Sequence, residues 1–254
     1  MINENEKPNV ISAISRLGKS PFFMIAAILY IVFVMVSAGT LVVSLFEPEE
    51  YSGVVGIDVV EIIVRLVALI GFVLLLMFGM SGKKNGILTG LTVMKLFCAV
   101  YGVYTVLDSV LTSIMTTENL PSGISLPFLF GAQLDIDYVI LIPCLEIYLT
   151  VIRVAFYFMI FGFLERVAQS LRTEEAMPDD GKGLTIFMII INASNLIAFL
   201  FNFIIDGYLT LGGIMQLVSH FLFLAVCVMM SLWIVRYRAA MSEVYNSNVV
   251  VPEE

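Results

Sequence analysis

The sequence predicts an all-α polytopic membrane bundle of six transmembrane helices with both chain ends in the cytoplasm. Three observations predict it. Of the 254 residues, 60% are apolar and only 13% charged, against about 45–50% and about 25% in soluble domains. Mean hydropathy is accordingly high, at +1.01. Six apolar runs each reach the ~20 residues that a helix needs to cross a bilayer core of ~30 Å while satisfying its own backbone hydrogen bonds. Finally, the Lys and Arg residues outside these runs all fall on one side of a chain threaded six times.

Residues 1–20 form a short cytoplasmic segment of mixed charge, expected to be mobile, with Lys7, Arg16 and Lys19 ahead of the first run. That run, Pro21–Phe46, resembles a signal peptide at Val36-Ser37-Ala38, but apolar sequence continues to Phe46 and reads as an uncleaved anchor. Glu47-Pro48-Glu49-Glu50 then precedes the second span, Ile57–Met80, and Ser81-Gly82-Lys83-Lys84-Asn85 turns the chain into the third, Gly86–Met115. Residues 116–137 are the longest outer loop; its apolar stretch Ile124–Gly131 suits an interfacial position on the membrane surface. The fourth span, Tyr138–Leu164, is expected to continue as helix into a cytoplasmic loop, residues 165–183, before Pro178. The fifth and sixth spans are Leu184–Asp206 and Gly212–Val235. The transmembrane domain thus covers residues 21–238, and residues 239–254 form a cytoplasmic tail, also expected to be mobile.

Orientation follows from charge. Lys7, Arg16, Lys19, Lys83, Lys84, Arg166, Arg172, Lys182, Arg236 and Arg238 share one side, and the opposite loops hold no Lys or Arg. The positive-inside rule assigns that side to the cytoplasm. The acids Glu47, Glu49, Glu50, Asp58, Glu118, Asp135, Asp137 and Asp206 fall on the outer side and account for the net charge of −8. An electronegative outer mouth concentrates cations, although exclusion of Lys and Arg from outer loops leaves such a surplus by itself.

Ionisable groups within a membrane are costly, which makes them candidates for function. Asp58, Glu61 and Arg65 stack on one stripe of the second span, where Glu61 and Arg65 can pair along the helix. Glu146, Thr150, Arg153 and Tyr157 share a stripe of the fourth. Asn192, Asn195, Asn202 and Asp206 form a polar seam down the fifth, and Gln216, His220, Cys227 and Ser231 share an arc of the sixth. By helical rise Arg65, Asp108, Glu146 and His220 sit roughly 10–13 Å from the outer boundary, Lys95 and Asn195 roughly 16 Å, and Arg153 and Asn192 roughly 22 Å. The candidate buried polar site is therefore Arg65, Lys95, Asp108, Glu146, Arg153, Asn192, Asn195 and His220. Matched depth predicts a network of Arg65, Glu146, Asp108 and Lys95, with Arg153 reaching Asn192 or water. The competing reading is structural: acids and bases neutralise one another, and Asn side chains join helices.

The second and third spans share with the fourth and fifth an acid followed by Arg and a later Gly-Leu-Thr, but in different registers (Gly90-Leu91-Thr92 and Gly183-Leu184-Thr185). No H-E-x-x-H, G-x-S-x-G, P-loop or G-x-G-x-x-G pattern is present, so no cofactor is expected and no enzyme chemistry, the one alternative left open being an intramembrane enzyme, for which Asp108 and Glu146 match in depth but lack a surrounding consensus. Cys98, Cys144 and Cys227 lie in apolar runs without metal-ligand spacing and read as buried small hydrophobes. No basic patch suits nucleic acid. The expected partners are the lipid bilayer, a small solute or cation at the acidic outer face, and partner subunits. Two functions follow: binding or translocating a small solute or ion through the polar site, or a non-transporting scaffold, assembly subunit or regulator whose buried charges hold the bundle together. A wet cavity would mark the first and dry pairing the second.

Overall fold

The computed structural model describes residues 9–46, 55–117, 124–127, 133–136, 138–176, 182–206 and 211–249. They form seven helices: α1 (Val10–Gly18), α2 (Pro21–Phe46), α3 (Val55–Ser81), α4 (Lys84–Thr117), α5 (Tyr138–Thr173), α6 (Lys182–Asp206) and α7 (Leu211–Val249). The only strands among the described residues are β1 (Ile124–Pro127) and β2 (Gln133–Ile136), an antiparallel pair with Ile124 opposite Ile136. Half of the apolar stretch expected on the membrane surface is therefore strand; residues 128–131 lie outside the described residues.

Among the described residues, four helices are long and apolar enough to cross a membrane, over Pro21–Val43, Val59–Ser81, Lys84–Leu107 and Leu217–Ser247. Helices α5 and α6, of 36 and 25 residues, have lengths of ~54 and ~37 Å by helical rise. Each long helix packs on its neighbours in sequence, and α7 closes the ring against α2. The α2–α7 seam is the most extensive in the bundle. Outward faces are apolar: Ile28 and Met35 on α2, Leu96, Val103 and Leu107 on α4, and Phe158 on α5, which is 78% exposed. So much exposed apolar surface is foreign to a water-soluble monomer and fits a lipid surround.

The α3–α4 hairpin is tight because glycine permits it. Gly82, at φ +65°, turns the chain in the left-handed region. Nearly two helical turns into α4, a Cβ at Gly90 would sit 3.1 Å from the backbone nitrogen of Leu75, so any larger residue would push the two helices apart.

The two chain ends depart from expectation. Residues 10–18, expected to be mobile, form α1, which begins with a capping box: the Ser12 N–H donates to Asn9 Oδ1 at 2.7 Å and the Asn9 N–H to Ser12 Oγ at 3.3 Å. Val10, Ala13, Ile14 and Leu17 make its buried stripe. The Ser15 hydroxyl donates to Gly79 O (3.0 Å), and the Trp233 indole donates to Leu17 O (3.2 Å), tying α1 across α3 and α7. A Cβ at Gly18 would lie 3.1 Å from the Gly79 backbone, so the crossing depends on two small residues. Likewise α7 does not end near Val235 but runs to Val249, with Tyr237, Met241 and Val244 almost wholly buried. Val167, Ala168 and Leu171 on the extension of α5 are buried as well. These three amphipathic segments pack together into a compact layer across one end of the bundle. Residues 10–18 and 237–244 are core because each segment repeats apolar residues at helical spacing.

Candidate functional site

Arg65 anchors the best-defined polar cluster. Its side chain is 15% exposed, and its Nη2 pairs with Glu61 one turn earlier on α3. Its Nη1 donates to Ser37 Oγ on α2 at 2.5 Å, and its guanidinium lies over the Phe33 ring, 4.4 Å from the centroid. From α4, the Tyr101 hydroxyl donates to Glu61 Oε1 at 2.6 Å. Ser37 donates its own proton to Phe33 O (2.9 Å), so in the 3.1 Å contact with Ser219 of α7 it is Ser219 that donates. The Tyr30 hydroxyl donates to Arg65 O at 3.3 Å. Four helices thus converge on one ion pair, which is how a buried pair recovers its desolvation cost. Within this cluster, the buried Arg65 Nε is without a hydrogen-bond partner among the described residues.

Lys95 goes elsewhere. Its ammonium pairs with Glu165 on α5, whose other oxygen lies 3.8 Å from Arg172 Nη1. Lys95 leaves the depth assigned by its Cα because its flexible stem reaches toward the basic end of the bundle, the ordinary snorkelling of lysine. The hydrogen bond from Lys95 holds the Glu165 carboxyl below the usual carboxylate range, against a small opposing effect of burial. A lowered folded-state value means that the pair stabilises above the ordinary pKa of about 4.3 and fades as pH falls below it. With Glu165 44% exposed, Lys95→Met should cost no more than about 1 kcal/mol at pH 7. Thermal unfolding at pH 7 and pH 3.5 should show that difference shrinking in acid.

Of the other expected residues, Arg153 is half-buried on α5 with no ion pair to any described residue. His220 is half-buried on α7, next to Ser219 of the Arg65 cluster. The side chains of Asp108, Glu146, Asn192 and Asn195 lie outside those described. The contacts expected of Glu146 and Asp108, and the reach of Arg153 to Asn192, therefore fall outside as well. The structure joins Arg65 to Glu61, Tyr101 and Ser37 and separates it from Lys95. Among the described residues no three His, Cys, Asp or Glu side chains gather as a metal site.

Inside the ring, below the Arg65 cluster, lies a cavity of about 130 Å³. Its wall is almost wholly apolar and rich in rings: Phe72, Phe97, Phe156, Tyr157, Phe223 and Trp233. Tyr101 and Tyr157 pack at 4.8 Å between centroids, and Phe97 meets Tyr157 edge-on at 5.8 Å. Ile14 and Gly18 of α1 line one end, and Arg65, the only charged residue in the wall, lines the other. The aromatic wall was readable only as apolar sequence. The Phe97/Tyr101/Tyr104 spacing marks a helical stripe, but nothing in it tells an inward face from a lipid one. Comparison with protein families, curated proteins and solved structures finds no match, so the site's own chemistry must carry the functional argument.

Proposed function

We propose that the chain is a six-span membrane protein with both termini on the cytoplasmic side, and that it binds an apolar small molecule inside the helix ring. The observation that carries the binding role is the cavity: set between the helices, lined by rings and aliphatic chains, and touched by one guanidinium. Apolar interior cavities of this size stay dry and take up apolar guests. The Arg65 and Lys95 clusters then act as braces between helices, since each charge already has a partner on the protein. That dry pairing also favours the rival role of scaffold or assembly subunit, in which the cavity is only imperfect packing. The topology is supported by the layer that gathers Arg16, the Lys84–Glu174 pair, Arg172 and Arg236 at one end.

Two measurements test this reading. In a Cys144→Ser background, Asn85→Cys and Thr173→Cys should resist an impermeant thiol reagent in intact cells, while Glu49→Cys and Ser122→Cys should label. Labelling at position 85 would overturn the topology. Native mass spectrometry in mild detergent should show one molecule of iodobenzene per chain, lost on filling the cavity with Leu91→Trp. Absence of binding to the wild-type protein would favour the scaffold.

A further inference from the structure

The cavity wall carries a polar group that the protein leaves unused, and that group narrows the guest. Among the described residues three tyrosines line the cavity: Tyr30 from α2, Tyr101 from α4 and Tyr157 from α5. Two of their hydroxyls are spent on the Arg65 cluster, Tyr30 donating to Arg65 O at 3.3 Å and Tyr101 to Glu61 Oε1 at 2.6 Å. Tyr157 differs. It is 6% exposed, and its hydroxyl makes no hydrogen bond among the described residues.

The hydroxyl points inward. It interacts electrostatically with Tyr30, Tyr101, Cys98 and Cys227, which come from α2, α4 and α7 and all line the cavity. A group on α5 that meets three facing helices at once lies toward the middle of the ring. Packing of the Tyr157 ring on Tyr101, Phe97 and Phe156 holds it there.

Size and charge set the rest. An apolar cavity of roughly 150 Å³ admits benzene, so a volume of about 130 Å³ suits a single ring. A buried hydroxyl without an acceptor bears an uncompensated desolvation cost, which an oxygen on the guest removes. An ionised guest would give up its hydration to a wall of rings and aliphatic chains, at far greater cost than a neutral one.

We infer that the cavity takes a compact uncharged ring bearing one oxygen, of the phenol class, with that oxygen accepting the Tyr157 O–H. This rests on the reading of the cavity as a binding site and adds the size and the polar group of the guest. Ring packing supplies most of the affinity, and Tyr157 selects the oxygen.

Phenol and toluene test this, because they share a shape and differ in one polar group. Binding of each to the full chain in detergent micelles at pH 7 is followed by NMR titration, with Leu91→Trp as the blank for partitioning into the micelle. Tyr157→Phe should weaken phenol about fivefold, the factor that a typical net hydrogen bond is worth, and leave toluene within twofold. In the unmodified protein, nuclear Overhauser contacts from the phenol ortho protons should reach Cys98 and Cys227 rather than Ile14 at the α1 end. Equal weakening of phenol and toluene by Tyr157→Phe, or contacts to Ile14 alone, would overturn the placing of the oxygen at Tyr157 while toluene binding upheld the cavity as a site. Should Tyr157→Phe fail to fold, the contacts in the unmodified protein decide. If neither guest binds the unmodified protein above the Leu91→Trp blank, both readings fall together.

Discussion

Glu61→Gln should destabilise the protein by about 3–5 kcal/mol, the cost typical of leaving a buried charge without its partner. Arg65 would keep Ser37 and the Phe33 ring but lose the only carboxylate in its described surroundings. Tyr101 would also lose a charged acceptor for its hydroxyl. The double replacement Glu61→Met with Arg65→Leu should cost much less than the single change, because apolar residues of similar volume often replace a buried pair with little loss. Chemical denaturation of the purified protein in micelles gives both values, and the double-mutant cycle with Tyr101→Phe measures the coupling. A Glu61→Gln variant as stable as the wild type would show that the pair does not brace the helices.

Tyr237→Ala should be comparably damaging, at about 3–5 kcal/mol for deletion of a large buried aromatic side chain. Its side chain has 0% exposure, stacks on Trp233 at 5.7 Å and meets the edge of Phe163 at 5.2 Å. Eight residues further along α7, Tyr245 is 37% exposed, and Tyr245→Ala should stay within about 0.5 kcal/mol. Thermal unfolding separates the two. Because Trp233 also holds Leu17 O, the Tyr237 variant should in addition become sensitive to trypsin at Arg16 before the bundle unfolds. Equal stability of both variants would mean that the residues beyond the sixth apolar run are not core.

These two cases show what could and could not be read from the chain. The long helices were legible because lipid imposes length and uniform apolarity, and both are written in consecutive residues. The Glu61–Arg65 pairing was legible because its partners are one turn apart. Lys95 with Glu165 was not, because depth computed from Cα rise ignores the reach of a lysine stem. The ends were misjudged for a different reason. Charge content suggested solvated tails, whereas the spacing of Val10, Ala13, Ile14 and Leu17, and of Tyr237, Met241 and Val244, already carried a helical period. The cavity depends on which aromatic faces turn inward, and in a helix that is apolar all round no periodic signal distinguishes lipid from core.

The closing of the ring by α2 and α7 has a consequence for biosynthesis. The broadest seam joins the first long helix to the last, and the Trp233–Leu17 hydrogen bond links residues 216 positions apart. Until α7 has been translated and inserted, α2 has, among the described residues, chiefly α3 and α1 to pack against, and α1 lacks the indole that fastens it. The inward aromatic faces of the earlier helices must therefore wait, covered by lipid or by an insertion chaperone, for the final segment to arrive. Assembly of the interior becomes a late, cooperative event in the making of the protein rather than a helix-by-helix accretion.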